Sequence, residues 1–203
     1  MRLYYSPGAS SLAPHIALRE AGIAFDLVRV DLERGILPHT GQAFASMSPM
    51  AKVPALELDD GAILSEGLAV LTWIADLAPV GSLAPAPGTL ARARMLEHMS
   101  FTATELHKGF SPLFDAATPP AYKQHLAGDL RPLQRMAAWL VDGPYLQGAG
   151  FTVADAHLFA ILRLGLHAGI DLSRWPHVGE YVARVAARPC VRDAIQAEGL
   201  VTD

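Results

Sequence analysis

What the chain lacks narrows its identity first. Its 203 residues include a single cysteine, Cys190. One thiol cannot close an intrachain disulfide or build a cysteine-based metal cage, and its scarcity fits a reducing compartment. No apolar run approaches the roughly 18–20 residues that cross a bilayer. The opening Met1-Arg2-Leu3-Tyr4-Tyr5-Ser6-Pro7-Gly8 is broken by Pro and Gly before a signal-peptide core can form. The cytoplasm is therefore the expected location, with no membrane partner. An excess of positive charge is also missing: 16 Lys and Arg stand against 20 Asp and Glu, which argues against a broad nucleic-acid surface. There is no internal repeat and no low-complexity tract. With 51% hydrophobic and 18% charged residues the chain has the composition of a folded globular protein. Its length allows one large domain or two small ones.

The first part alternates strand-like and helix-like segments. Leu3–Tyr5 is a short apolar strand stopped by Ser6-Pro7-Gly8. From about Ser11 to Ala21, apolar Leu12, Ile16, Ala17 and Leu18 recur at helical spacing, with Gly22 as a terminator. Phe25–Val30 returns to strand character, giving a β-α-β opening that favours a parallel pair. Asp31–Met50 is less regular and is taken as a loop and helix. Val53–Leu58 and Ala62–Leu64 flank Asp59-Asp60-Gly61, a strong hairpin signal. Ser65-Glu66-Gly67 then opens a helix to about Leu77, with Leu68, Leu71, Thr72 and Ala75 on one stripe. This βαβ-α-ββα order is that of a thioredoxin-like unit, and predicts an α/β domain over residues 1–78. Pro79, Gly81, Pro85, Pro87 and Gly88 mark residues 79–88 as a linker. Residues 89–203 show only helical candidates, over about Leu90–Phe114, Pro120–Leu140, Val153–Ala168, Trp175–Ala187 and Cys190–Glu198. The expected second domain is all-α. Thr152 and Asp155 have the spacing of a capping box at the head of an apolar, buried helix, and read as a folding feature.

Three local features could carry chemistry. The strand-turn-helix at Tyr4–His15 presents a helix start that stabilises an anion or a thiolate, with Ala9, Ser10 and Ser11 at its mouth. Lys52-Val53-Pro54 precedes a strand; a proline there is often cis and exposes the preceding backbone to an extended peptide. Ser65-Glu66-Gly67 forms a second helix start suited to a carboxylate, with Gly67 permitting close approach. Each alone is also explained by capping or by an ordinary strand start.

Together, and in this order, they resemble the cytosolic glutathione transferases. Tyr4-Tyr5-Ser6-Pro7-Gly8-Ala9-Ser10-Ser11-Leu12-Ala13-Pro14-His15-Ile16-Ala17-Leu18-Arg19-Glu20 is similar to the opening of the bacterial beta class. So are Lys52-Val53-Pro54-Ala55-Leu56, Leu64-Ser65-Glu66-Gly67, Glu105–Phe114 and Phe151-Thr152-Val153-Ala154-Asp155. The resemblance covers nearly the whole chain. It implies glutathione as co-substrate, no metal, a small electrophilic second substrate and a homodimer. Ala9, Ser10, Lys52, Val53, Pro54, Ser65, Glu66 and Gly67 would hold glutathione from the first domain. Val53 would pair with its cysteinyl part, and Glu66 and Gly67 with its γ-glutamyl end. His107 and Lys108 would approach from the second domain, joined by Thr104 and by Glu105, the latter from the partner subunit.

The resemblance breaks at one position. The beta class typically has cysteine where this chain has Ser10, and serine cannot form a mixed disulfide with glutathione. A serine hydroxyl can instead hydrogen-bond the glutathione thiolate. Ser10 is the first candidate for that role, Ser11 the second, with Tyr5, His107 and backbone amides as alternatives. The expected activity is transfer of glutathione to an electrophile. The alternatives are a binding protein for glutathione or apolar ligands with little turnover, and a glutathione-dependent isomerase, dehalogenase or lyase. His98 and His107 do not share a helix face cleanly, which argues against a metal site. Cys190 is expected to be packed and His15 structural, while Trp139, Trp175, Met95 and Met99 read as core or interface.

Overall fold

A computed structural model describes residues 1–129 and 131–201. Strands β1 (Arg2–Tyr5) and β2 (Asp26–Arg29) are joined by helix α1 (Leu12–Glu20). Strands β3 (Ala55–Glu57) and β4 (Ile63–Ser65) follow, and helix α2 (Gly67–Leu77) closes the first unit. The sheet order is β2-β1-β3-β4, with β1 parallel to β2 and antiparallel to β3. Alternation along the strands divides the apolar side chains between two faces. Leu3 and Leu56 join the large core beneath α1 and α2, whereas Tyr4 and Ala55 join a smaller cluster with Val30, Leu37 and Phe44.

That smaller cluster explains the irregular segment after β2: it covers the second face of the sheet. The helix expected there is present only as a three-residue 3₁₀ turn, Phe44–Ser46. Gly35 and Gly41 take left-handed φ of +66° and +70°, and Pro38 lies between them, so no continuous α-helix can run through. The buried stripe of α2 is also rotated from expectation. Val70, Leu71, Ile74 and Ala75 are buried, while Leu68 and Thr72 are half-buried. A helix this apolar on most faces gives an ambiguous period, and tertiary contacts choose the face.

The second unit is helical. Helix α3 (Leu90–Phe101) runs without a break through a π-helical turn, Thr102–His107, into α4 (Lys108–Phe114). The single helix expected over Pro120–Leu140 is two, α5 (Pro120–Gly128) and α6 (Arg131–Trp139). Gly128 weakens the helix, and Asp129 Oδ1 accepts from the Arg131 backbone N–H at 3.2 Å, capping the new start. Helices α7 (Val153–His167), α8 (Pro176–Ala186) and α9 (Pro189–Ala197) complete the chain. Met95 and Met99 are fully buried, and Trp139 packs edge-on to Phe101.

Helix α7 is the central element, buried without interruption from Val153 to Leu162. Its head is held by Asp155, whose Oδ2 accepts from the Thr152 backbone N–H at 2.9 Å and from Thr152 Oγ1 at 3.0 Å. Asp155 Oδ1 accepts from the Leu146 N–H at 2.8 Å and from the Tyr181 hydroxyl at 3.3 Å. The stretch 79–88 has no helix or strand, yet Leu83 is buried and its carbonyl accepts from the Val153 N–H at 2.9 Å. Polar locks join α1 to the end of the chain. His15 Nδ1 meets Glu198 Oε1 at 2.9 Å while its Nε2 accepts from Arg19 Nε, and Glu198 Oε2 accepts from the Gly8 N–H. Arg188 grips Glu20 with two bonds, at 2.7 and 2.8 Å. These contacts give His15 a structural role.

Candidate functional site

A cavity of about 510 Å³ lies where the start of α1, the turn before β3 and the start of α2 face the π-helical turn and α4. Of the residues expected at the site, Ser10, Lys52, Val53, Pro54, Ser65, Glu66, Gly67, Thr104, His107 and Lys108 line it. Three others stand outside its wall. Ala9 uses its N–H to close the turn onto the Ser6 carbonyl at 3.0 Å. Ser11 is fully buried, and its hydroxyl donates to the Ser6 carbonyl at 3.3 Å and accepts from the Ser6 N–H at 3.2 Å. A single step along the helix turns a side chain by about 100°, so Ser10 faces the cavity while Ser11 staples the turn beneath it. Glu105 is exposed and accepts from Thr104 Oγ1 at 3.0 Å. Tyr5 is half-buried beside His15, with burial and then Glu198 pushing its phenol pKa up.

The first-domain wall is built largely from backbone. The Val53–Pro54 bond is cis, and Ser10 Oγ makes only a long 3.5 Å bond to the Val53 carbonyl. Glu66, at the N-cap of α2, has φ 68° and ψ 116°. Ala51, next to Lys52, has φ 48°. Non-glycine residues in this region cost of order 1–3 kcal/mol each and are found where function holds the chain in place. Both flank the cavity. At Gly67 the surroundings are open: an added Cβ would meet only Pro54, its Cγ at 3.8 Å and its Cδ at 4.0 Å, both ordinary distances. The protein's own packing does not require glycine there.

The second-domain wall is built from side chains. Ala103, Thr104, His107, Lys108 and Ser111 share one face across the π-helical turn and α4. Such wide turns are rare and concentrate at functional sites. Burial, then the positive charges of Lys108 and Lys52, lower the His107 pKa, which favours the neutral imidazole. Lys52 and Lys108 are exposed. Two cations beside two helix starts give the cavity an affinity for anionic groups.

Several wall residues were not anticipated: Ser48, Met50, Leu68, Leu71, Ala103, Ser111 and His157. His157 is the most informative. It projects from the second turn of α7, and burial, followed by the nearness of His107, brings its pKa down to about 3. A histidine amid Ala-Asp-Ala-His-Leu-Phe-Ala is the signal the sequence offers, and the apolar pattern of the helix around it masks that signal. Cys190 lines a separate, more open cleft with Arg19 and Asp193. Burial, then Glu20 and Asp193, push its thiol pKa up, the opposite of activation.

Comparison with known proteins shows the family. The glutathione S-transferase N-terminal domain model matches residues 9–77, and the C-terminal domain model matches residues 101–189. Glutathione S-transferase GstA of Escherichia coli is 42% identical over 98% of this chain and 100% of its own length. A sphingomonad glutathione S-transferase solved in complex with glutathione is 43% identical, with a TM-score of 0.92 over 99% of this chain and 100% of that one. The beta-class enzyme of Sphingomonas chungbukensis is 46% identical, with a TM-score of 0.93 over the same shares. On matches that span both domains, the chain belongs to the glutathione S-transferase family, close to its bacterial beta class.

Proposed function

We propose that this glutathione S-transferase stabilises the glutathione thiolate with the Ser10 hydroxyl rather than with a cysteine. The observation that carries the reading is that Ser10, and not Ser11, lines the same cavity as Val53 and His107, and among the described residues its hydroxyl makes only the long bond to the Val53 carbonyl. The tripeptide lies along the first-domain wall. Its cysteinyl part pairs with the Val53 backbone, its γ-glutamyl end meets Ser65, Glu66 and Gly67, and its glycyl carboxylate approaches Lys52 and Lys108. The sulfur then falls between Ser10 and His107. Thr104 lies beside it, and Glu105 serves the site across a homodimer interface. Light scattering on the eluted protein is the check on the dimer; a monomer at working concentration removes the role given to Glu105.

Three effects favour the thiolate: a hydroxyl donor, the positive end of α1, and the cations Lys52 and Lys108. The His107 imidazole, held neutral by burial, can accept the thiol proton as it leaves. The thiolate then attacks an electrophile held against the second domain, accelerated by proximity and without a covalent enzyme intermediate. The location proposed is the cytoplasm, where glutathione is available as co-substrate; separately, no helix among the described residues is long and apolar enough to cross a membrane. The decisive experiment is titration of the ultraviolet thiolate band of bound glutathione. Ionisation well below the ~8.5 of a free thiol is expected. Tight binding with an unshifted titration would instead make the chain a glutathione-binding protein with little turnover.

A further inference from the structure

One polar atom in the cavity wall is at odds with its surroundings. His157 is 4% exposed, and its Nδ1 is sealed from solvent without a hydrogen-bond partner. Among the described residues no other buried side-chain nitrogen or oxygen is left so. The same ring lines the cavity that Ser10 and His107 line. Native folds pair buried polar groups or keep them for a ligand.

A neutral imidazole carries one ring proton. At Nδ1 it would be an unmet N–H, and an unmet lone pair is the more readily tolerated of the two. The proton therefore belongs on Nε2. The cavity that His157 lines also has apolar wall residues, Leu68, Leu71 and Ala103 among them. Pockets that combine apolar walls with a few placed polar groups fix the orientation of a small molecule.

We propose that His157 selects the second substrate: its Nε2–H donates a hydrogen bond to an oxygen of the electrophile, so the pocket prefers a carbonyl conjugated to the reacting carbon over an apolar electrophile of the same size. This rests on the transferase reading above. In the addition, the glutathione sulfur bonds to the β-carbon and the alkene electron pair moves to the carbonyl oxygen, forming an enolate. His157 stabilises that developing charge. The α-carbon then takes a proton from water, and the proton released by the thiol balances the hydroxide. With a benzylic halide the carbon–sulfur bond forms as the carbon–halogen bond breaks and halide departs, and no oxygen is present for His157 to hold.

The test compares benzylideneacetone, an enone, with benzyl chloride, using wild type, His157→Phe and His157→Gln. Phe keeps a ring without nitrogens, and Gln restores an N–H near the Nε2 position. His157→Phe should lower kcat/KM for the enone about tenfold and leave benzyl chloride within about twofold, with glutathione affinity unchanged. His157→Gln should recover most of the loss. Equal losses on both substrates, or none on either, overturn the proposal. Calorimetry on the glutathione-loaded wild type reads the same hydrogen bond without turnover. Benzylacetone should bind about tenfold more tightly than butylbenzene, and equal affinities also overturn it. A protein that binds the ketone selectively but leaves the bound thiol unshifted would refute the transferase chemistry while sustaining the role of His157.

Discussion

Asp155 and His157 lie two residues apart on α7, both nearly sealed from solvent, and their surroundings treat them in opposite ways. Asp155 accepts four hydrogen bonds, from Thr152 N–H, Thr152 Oγ1, Leu146 N–H and the Tyr181 hydroxyl. Burial pushes its pKa up and those donors pull it back. His157 has an Nδ1 with no partner, and its pKa is driven down by burial. Because buried polar groups are costly unless paired, the saturated group belongs to the fold, whereas the unpaired nitrogen sits on a residue that lines the cavity. His15 is a control for residue type. It is also fully buried, but both ring nitrogens are engaged, by Glu198 and Arg19.

The contrast can be broken by substitution. Asp155→Ala should have the largest effect, a loss of about 3–5 kcal/mol in urea denaturation, because it strands several donors in the core at once. A loss under about 1 kcal/mol would mean that the network is replaceable by packing. His15→Phe should cost about 2 kcal/mol, the scale of a hydrogen bond to a charged partner, since it leaves the buried Glu198 carboxylate without the imidazole. His157→Phe should be near neutral at pH 7. Its signature lies in acid. The folded pKa of about 3 is below the unfolded value of ~6.5, so below pH ~6.5 the unfolded chain takes up a proton that the fold refuses. Wild type should therefore lose stability as pH falls through that window. At pH ~5 the loss relative to the variant should be about 2 kcal/mol. Identical pH profiles would show that His157 is not the buried neutral group described here.

Most of the first-domain wall was legible in the sequence because it is written locally. Val53-Pro54, Ser65-Glu66-Gly67 and the turn into α1 are short segments in which proline, glycine and serine carry their own conformational signals. The order of strands and helices followed from the same punctuation. What escaped was decided by packing. Ser10 and Ser11 are adjacent, and which of them lines the cavity depends on which hydroxyl the Ser6 turn recruits, so the sequence could only rank Ser10 first. The π-helical turn at Thr102–His107 has no breaker residue to announce it. His107 and Lys108 were reached through family resemblance, not periodicity. His157 was hidden by its helix, whose apolar pattern described the core around it and not the cavity at one edge.

Two smaller effects test whether the cavity, like Asp155 and His157, separates what the fold needs from what a ligand needs. Ser10→Ala removes a half-buried hydroxyl with one long bond, so stability should barely change. The pKa of bound glutathione should rise by about one unit, equivalent to about 1.4 kcal/mol; an unchanged titration would transfer thiolate stabilisation to His107 and the helix start. Gly67→Ala should move stability least. The new methyl would make only ordinary contact with Pro54 at 3.8 Å, and alanine favours the helix, so a gain of a few tenths of a kcal/mol is expected. Glutathione affinity should nonetheless fall about tenfold, because the space over that Cα is where the γ-glutamyl end would lie, and tenfold is about 1.4 kcal/mol. Affinity that held while stability rose would mean that Gly67 serves neither the fold nor the ligand, and the γ-glutamyl end would have to be moved away from the start of α2.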